Sequence, residues 1–86
     1  MKKLNWEVIL SNLAEAREQI QAIEARVNSG EELSEVELQI LFEHAYHHLN
    51  FAWNARHISL NDYAQMTDAQ FDQWSQFPKE IKAYGD

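Results

Sequence analysis

The sequence contains no cysteine, one proline and two glycines among its 86 residues. The missing cysteine excludes disulfides, thiolate catalysis and cysteine-based metal sites. Two glycines are too few for a glycine-rich loop that cradles phosphate. No apolar run exceeds three residues, so the sequence offers neither a membrane-spanning segment nor the apolar core of a signal peptide. We therefore expect a single cytoplasmic domain over residues 1–86, without membrane contact.

Basic side chains are also scarce. Seven lysines and arginines stand against 14 aspartates and glutamates, which gives a formal net charge of −7. Because nucleic-acid binding draws on many lysine and arginine contacts to phosphates, we expect no nucleic-acid partner. An acidic face for a basic partner is one interpretation of this charge. We favour a structural one, since four acids lie where the second predicted helix begins and stabilise the positive end of its dipole: Glu31, Glu32, Glu35 and Glu37.

The sequence is rich in helical periodicity. From Leu4 to Asn28, apolar residues recur at alternating intervals of three and four, which predicts a long helix with one heptad seam. Gly30 suits the turn after this helix. Ser34 and Glu37 form a capping box for the next one. The members of the seam are Trp6, Ile9, Leu13, Ala16, Ile20, Ile23 and Val27.

The second helix, predicted from Ser34 to His57, is central to the fold because it is apolar on two sides. Its wide arc is predicted to receive the seam of the first helix in an antiparallel hairpin. The residues of that arc are Leu38, Leu41, Phe42, Ala45, Tyr46, Leu49, Ala52 and Trp53. A narrow strip on the opposite side consists of Val36, Ile40, Phe51 and Ile58.

Two short helices are predicted after the hairpin. Ser59 and Thr67 are suited to begin them as N-caps, and Pro78 ends the second. The predicted fold is therefore all-α: an antiparallel hairpin of two long helices, followed by two short helices packed across it. Residues 79–86 are expected to form a loose C-terminal tail.

The polar residues of the central helix need partners. Asn50 and Asn54 are one turn apart, and asparagine is unfavourable inside a helix. We expect them to bind unpaired backbone groups of the segment that follows the central helix. A hydrogen-bonding surface for a partner is the alternative. Arg56 is expected to pair with a carboxylate or to lie over an aromatic ring.

The histidines suggest a metal site. His44 and His48 are four residues apart, so both imidazoles face the same side and could bind one ion. Zinc needs at least three protein ligands, and Glu37 lies about 10 Å from His44 along the helix axis. The third ligand must therefore come from another helix or a second molecule. No nucleophile elbow and no carboxylate pair is present, so we expect neither enzymatic activity nor a cofactor.

The favoured functional hypothesis is a small, acidic, non-enzymatic protein-interaction module, an adaptor or regulator that acts through a helix face as a homodimer or with another protein. Its predicted interaction surface consists of Val36, Ile40, His47 and Phe51. This strip lies either under the short helices or against a second molecule, which would join two hairpins into a four-helix bundle. One alternative is a metal-binding protein that uses His44 and His48. The other is a small-ligand binder with a pocket between the central helix and the segment containing Phe71 and Trp74.

Overall fold

The computed structural model describes residues 3–82. Four helices occur in this part of the chain: α1 (Trp6–Asn28), α2 (Glu35–Asn54), α3 (Leu60–Ala64) and α4 (Asp68–Trp74). The long helices pack together as a hairpin, while α3 contacts α1 and α4 contacts α2. The predicted all-α fold is confirmed. None of the described helices has the length and apolar character needed to cross a bilayer.

Polar caps fix the helix starts. Asn5 accepts hydrogen bonds from two backbone N–H groups in the first turn of α1. Ser34 and Thr67 form complete capping boxes at α2 and α4, and Ser59 caps α3. Gly30, in the turn after α1, has a φ of 84°, which side chains other than glycine rarely adopt. The short-range polar pattern of the sequence therefore sets the helix boundaries to within a few residues.

The turn between α1 and α2 is held by one arginine. The Arg26 guanidinium pairs with the carboxylates of Glu31 and Glu37. Its hydrogen bond is the main cause that lowers the pKa of Glu37, and the hydroxyl of Ser34 adds to the effect. Because Glu37 also completes the capping box of α2, this cluster ties the end of α1 to the start of α2.

The opposite end of the hairpin is closed by backbone contacts. The Asn5 N–H donates to the carbonyl of Arg56 at 2.7 Å, and the Asn5 side chain donates to the carbonyl of Ile58 at 2.7 Å. His57 Nδ1 lies 3.1 Å from the carbonyl of Lys3. The start of α1 is thereby fastened to the end of α2, so the two helices are antiparallel.

The core lies at this end of the hairpin, where α1 begins and α2 ends. Phe51 is 2% exposed and packs with Val8, Ala55 and Trp74. Its ring meets Trp74 edge to face, with 6.0 Å between the ring centroids, and meets Tyr63 in the same way at 6.2 Å. All four helices therefore contribute to one core, with Val8 from α1 and aromatic rings from α2, α3 and α4. The short helices α3 and α4 cover the part of the narrow strip around Phe51.

The packing of α1 on α2 corrects the sequence prediction. The seam residue Trp6 is exposed, and Leu49 in the wide arc is 48% exposed. The buried residues of α1 are Val8, Asn12 and Ala16, spaced by four, and only Ala16 belongs to the predicted seam. The helix is thus turned by roughly 60° from the predicted orientation, a little over half of one residue step. The physical reason is that Asn12 finds hydrogen-bond partners inside the core and turns its own face inward.

The segment after α4 is partly fixed. Pro78 is buried, and Ile81 lies beside Trp53 at the edge of the hairpin. Residues 79–82 form no helix. The rest of the predicted loose tail, residues 83–86, lies outside the described residues.

Phe51→Ala should lower the free energy of unfolding by about 3–5 kcal/mol, because it leaves a cavity among three other core side chains. Urea denaturation followed by circular dichroism measures this loss. Val36→Ala in the same helix is the control, since Val36 is 67% exposed and surface changes stay within about 0.5 kcal/mol. Similar losses in both variants would contradict the assignment of the core.

Candidate functional site

The two predicted metal ligands are neighbours. The ring centroids of His44 and His48 are 4.9 Å apart. Within residues 3–82, no group of three or more histidine, cysteine, aspartate or glutamate side chains is placed to hold a metal ion. A metal bound by these two histidines would therefore need a ligand from elsewhere, and the metal site stays a prediction.

His48 belongs to a buried polar network centred on Asn12. Asn12 is 2% exposed, and its amide nitrogen donates to the Val8 carbonyl at 3.0 Å and to the Tyr63 hydroxyl at 3.1 Å. Its amide oxygen lies 3.1 Å from His48 Nδ1. Because that oxygen can only accept, His48 carries its proton on Nδ1. The network joins α1, α2 and α3, and it leaves only Nε2 of His48 available to a metal.

Sequence reasoning missed the role of Asn12. The signal was present, since Asn12 lies four residues after Val8 and four before Ala16, on one face of α1. An asparagine between two small apolar residues on the same helix face marks a candidate for a buried hydrogen-bonded group.

His47 serves as an aromatic side chain. Its ring lies 5.0 Å from Phe51 and 5.5 Å from Phe71, centroid to centroid. Burial is the main cause that lowers the pKa of His47, and His44 adds to it. Burial also lowers the pKa of His48, against the opposing effect of nearby α1 carboxylates. Both imidazoles are therefore neutral at neutral pH and belong to the packing between helices.

The four residues of the predicted interaction surface do not form one surface. Val36 and Ile40 are 67% and 59% exposed, His47 is half-buried, and Phe51 is buried. Phe51 lies under the short helices, which also corrects the position expected for a small-ligand pocket: Phe51 and Trp74 pack on each other there. The narrow strip is thus covered at its C-terminal half and open at its N-terminal half.

Asn50 and Asn54 hold the end of α4. The Asn50 amide donates to the carbonyls of Ser75 and Gln76, both at 3.0 Å. The Asn54 amide donates to those of Trp74 and Gln76, both at 2.7 Å. The expected structural role is therefore correct, but the partner segment is the end of α4 rather than the segment just after α2. The last carbonyls of a helix have no partner within it, and here α2 supplies the donors.

The opposite side of the hairpin is apolar, and neither short helix covers it; Pro78 and Ile81 lie against one end of it, beside Leu49 and Trp53. Trp6 and Leu13 of α1 and Leu49 and Trp53 of α2 line a groove of about 330 Å³. On α1, large apolar residues recur every seven residues from Trp6 onward. On α2, they recur every three or four residues back from Trp53. Each series, which we call a stripe, therefore stays on this side of the hairpin. We call the exposed members of both stripes the hairpin face: Trp6, Leu13, Ile20, Val27, Phe42, Tyr46 and Leu49.

Arg56 lies at the end of the hairpin face. Its guanidinium carbon is 3.8 Å from the centroid of the Trp53 ring, and it donates to the Trp53 carbonyl at 2.8 Å. This confirms the predicted contact with an aromatic ring. The hairpin face therefore ends in a cation–π pair at the closed end of the hairpin.

Comparisons of the chain with protein-family models, with curated proteins and with solved structures find no match.

Asn12→Ala should lower the free energy of unfolding by about 1–3 kcal/mol, because it strips partners from two polar groups in the core. Combining it with Tyr63→Phe in a double-mutant cycle tests the network itself. The double variant should lose less than both single losses together, with a coupling of about 0.5–3 kcal/mol. Strictly additive losses in urea denaturation would mean that Asn12 and Tyr63 act independently.

Proposed function

We propose that this protein is a small, acidic, non-enzymatic protein-interaction module, an adaptor or regulator that acts through the hairpin face. The observation that carries the proposal is the run of seven large apolar side chains, each about half exposed, along one side of α1 and α2. Exposed apolar side chains of this number, on two neighbouring helices, are typical of a surface that another protein covers.

The size of the hairpin face supports this proposal. Half of the surface of seven large side chains, at roughly 150–250 Å² each, amounts to roughly 700 Å². The largest apolar patch of an ordinary monomer is about 300–600 Å². A face of this size leaves much apolar surface in water unless a partner covers it, and its burial would drive binding.

The composition of the face supports a protein partner over other classes. Its members are apolar, and the chain has a net charge of −7, which disfavours a phosphate backbone. The groove extends along two helices, as in the binding of an amphipathic helix by a groove. The proposal keeps the cytoplasm as the compartment, because the chain has no cysteine for the disulfides of oxidising compartments.

A site-specific photo-crosslink tests the proposal. Benzoylphenylalanine in place of Tyr46, in the middle of the hairpin face, should give a protein adduct in the native cell. The matched control is the same substitution at Phe71, an aromatic residue on the opposite side of α2 with similar exposure: 45% against 49% for Tyr46. Mass spectrometry identifies the attached polypeptide.

The adduct at Tyr46 should disappear when Leu13→Gln and Ile20→Gln remove apolar surface from the same face. An adduct with a second copy of the chain and one with a different protein would both support an interaction module. Equal yields at Tyr46 and Phe71, or no adduct at Tyr46, would contradict it.

A further inference from the structure

We propose that the occupant of the hairpin face is a second copy of this chain. Two hairpins then form an antiparallel four-helix bundle, with α1 of each copy lying on α2 of the other. This inference rests on the proposed function, because it names the partner of the same surface. Three observations carry it: the area of the face, the level at which its residues lie, and the distribution of charge between the two long helices.

The area of the hairpin face matches what a dimer needs. A stable interface of standard size buries about 800 Å² on each partner. The exposed part of the seven face residues supplies roughly 700 Å² on each copy, and the groove beside Trp53 and Ile81 continues the face at one end. A second copy covers the whole face, which a short peptide would not.

The packing of α1 on α2 fixes which of their residues lie at the same height along the helix axes, which we call the same level. Asn12 of α1 lies beside His48 of α2 in the half of the hairpin away from the turn, and Arg26 lies beside Glu37 near the turn. A two-fold axis parallel to the helices, between the two hairpin faces, keeps each residue at its level. It places α1 of one copy against α2 of the other, and every pair of neighbouring helices is then antiparallel.

At these levels the two stripes complement each other. Leu13 of one copy lies opposite Leu49 of the second copy, and Ile20 lies opposite Phe42. The α1 stripe is mainly aliphatic and the α2 stripe mainly aromatic. Stacking in this register therefore places Leu13 against Leu49 and Ile20 against the Phe42 ring, and the same contacts occur twice because the interface is symmetric.

The two hairpin faces can also be related by a two-fold axis perpendicular to the helices, which lays α1 on α1 and α2 on α2. The distribution of charge favours the first arrangement over this one. The residues of α2 include glutamates but no lysine or arginine, so α2 on α2 sets glutamates against glutamates with no lysine or arginine to pair with them. With α1 on α2, Arg17 of one copy lies at the level of Glu43 of the second copy, at the rim of the face. Within residues 3–82, Arg17 has no ion pair, and Glu43 accepts only from Gln39.

Sedimentation velocity of the full chain from about 1 µM to about 200 µM tests the proposal. A dimer is expected. Leu13→Gln with Ile20→Gln should raise the dissociation constant by on the order of 100-fold or more, because four half-exposed side chains, two on each copy, lose apolar burial. Val36→Gln with Ile40→Gln makes the same number of changes on the opposite side of α2 and should leave the dissociation constant unchanged.

Charge reversal tests the arrangement of the helices and does not depend on apolar substitutions. Arg17→Glu and Glu43→Arg should each weaken the dimer several-fold, and the double variant should recover part of the loss. Circular dichroism checks that each variant remains helical. Additive weakening in the double variant would overturn the placement of α1 on α2.

Three other outcomes would overturn the proposal. One is a monomer at every concentration. Another is a dimer that responds to Val36 and Ile40 and not to Leu13 and Ile20. The third is a monomer that dimerises only after deletion of residues 83–86, since the tail would then be the occupant. A monomer whose Tyr46 crosslink attaches a different protein rejects the second copy and keeps the interaction module. A monomer without any Tyr46 adduct rejects both.

Discussion

The burial of Phe51 is the contact on which the rest of the structure depends. A hairpin of two helices has only one shared interface, which is too little for a stable core in a chain of this size. The ring of Phe51 packs against Val8, Tyr63 and Trp74, which places α1, α3 and α4 on the same side of α2. The short helices are used there, and on the other side the described residues cover only the end beside Leu49 and Trp53, where Pro78 and Ile81 lie.

Buried polar side chains determine how the helices are rotated about their axes in this arrangement. Asn12 turns α1 so that its own side chain faces the core, bonded to Tyr63 and His48. Asn50 and Asn54 satisfy the carbonyls at the end of α4. Unpaired, the buried amides of Asn12 and Asn50 would each cost about 1–3 kcal/mol, so other rotations of the helices are disfavoured. The asymmetry between a covered and an uncovered side therefore follows from hydrogen bonds as much as from apolar packing.

The elements could be predicted from the sequence because their signals are local. The capping boxes at Ser34 and Thr67 and the turn at Gly30 each involve only a few neighbouring residues. The rotation of α1 could not be predicted in this way. An asparagine such as Asn12 is expected to face water unless its hydrogen-bond partner is known, and the partner Tyr63 is distant in the sequence. The rotation leaves Trp6 and Leu13 exposed, whereas the prediction buried both against α2. The exposed face therefore includes these two seam residues, which the predicted surface around Val36 does not contain.

If the side of the hairpin away from the short helices binds a second copy of the chain, methyl NMR spectra of the full chain recorded over a dilution series detect the contact. The methyl signals of Leu13, Ile20 and Leu49 should shift as the dimer dissociates, while those of Val36 and Ile40 stay in place. Shifts confined to Val36 and Ile40, or unchanged spectra together with the sedimentation rate of a monomer at every concentration, would contradict the dimer.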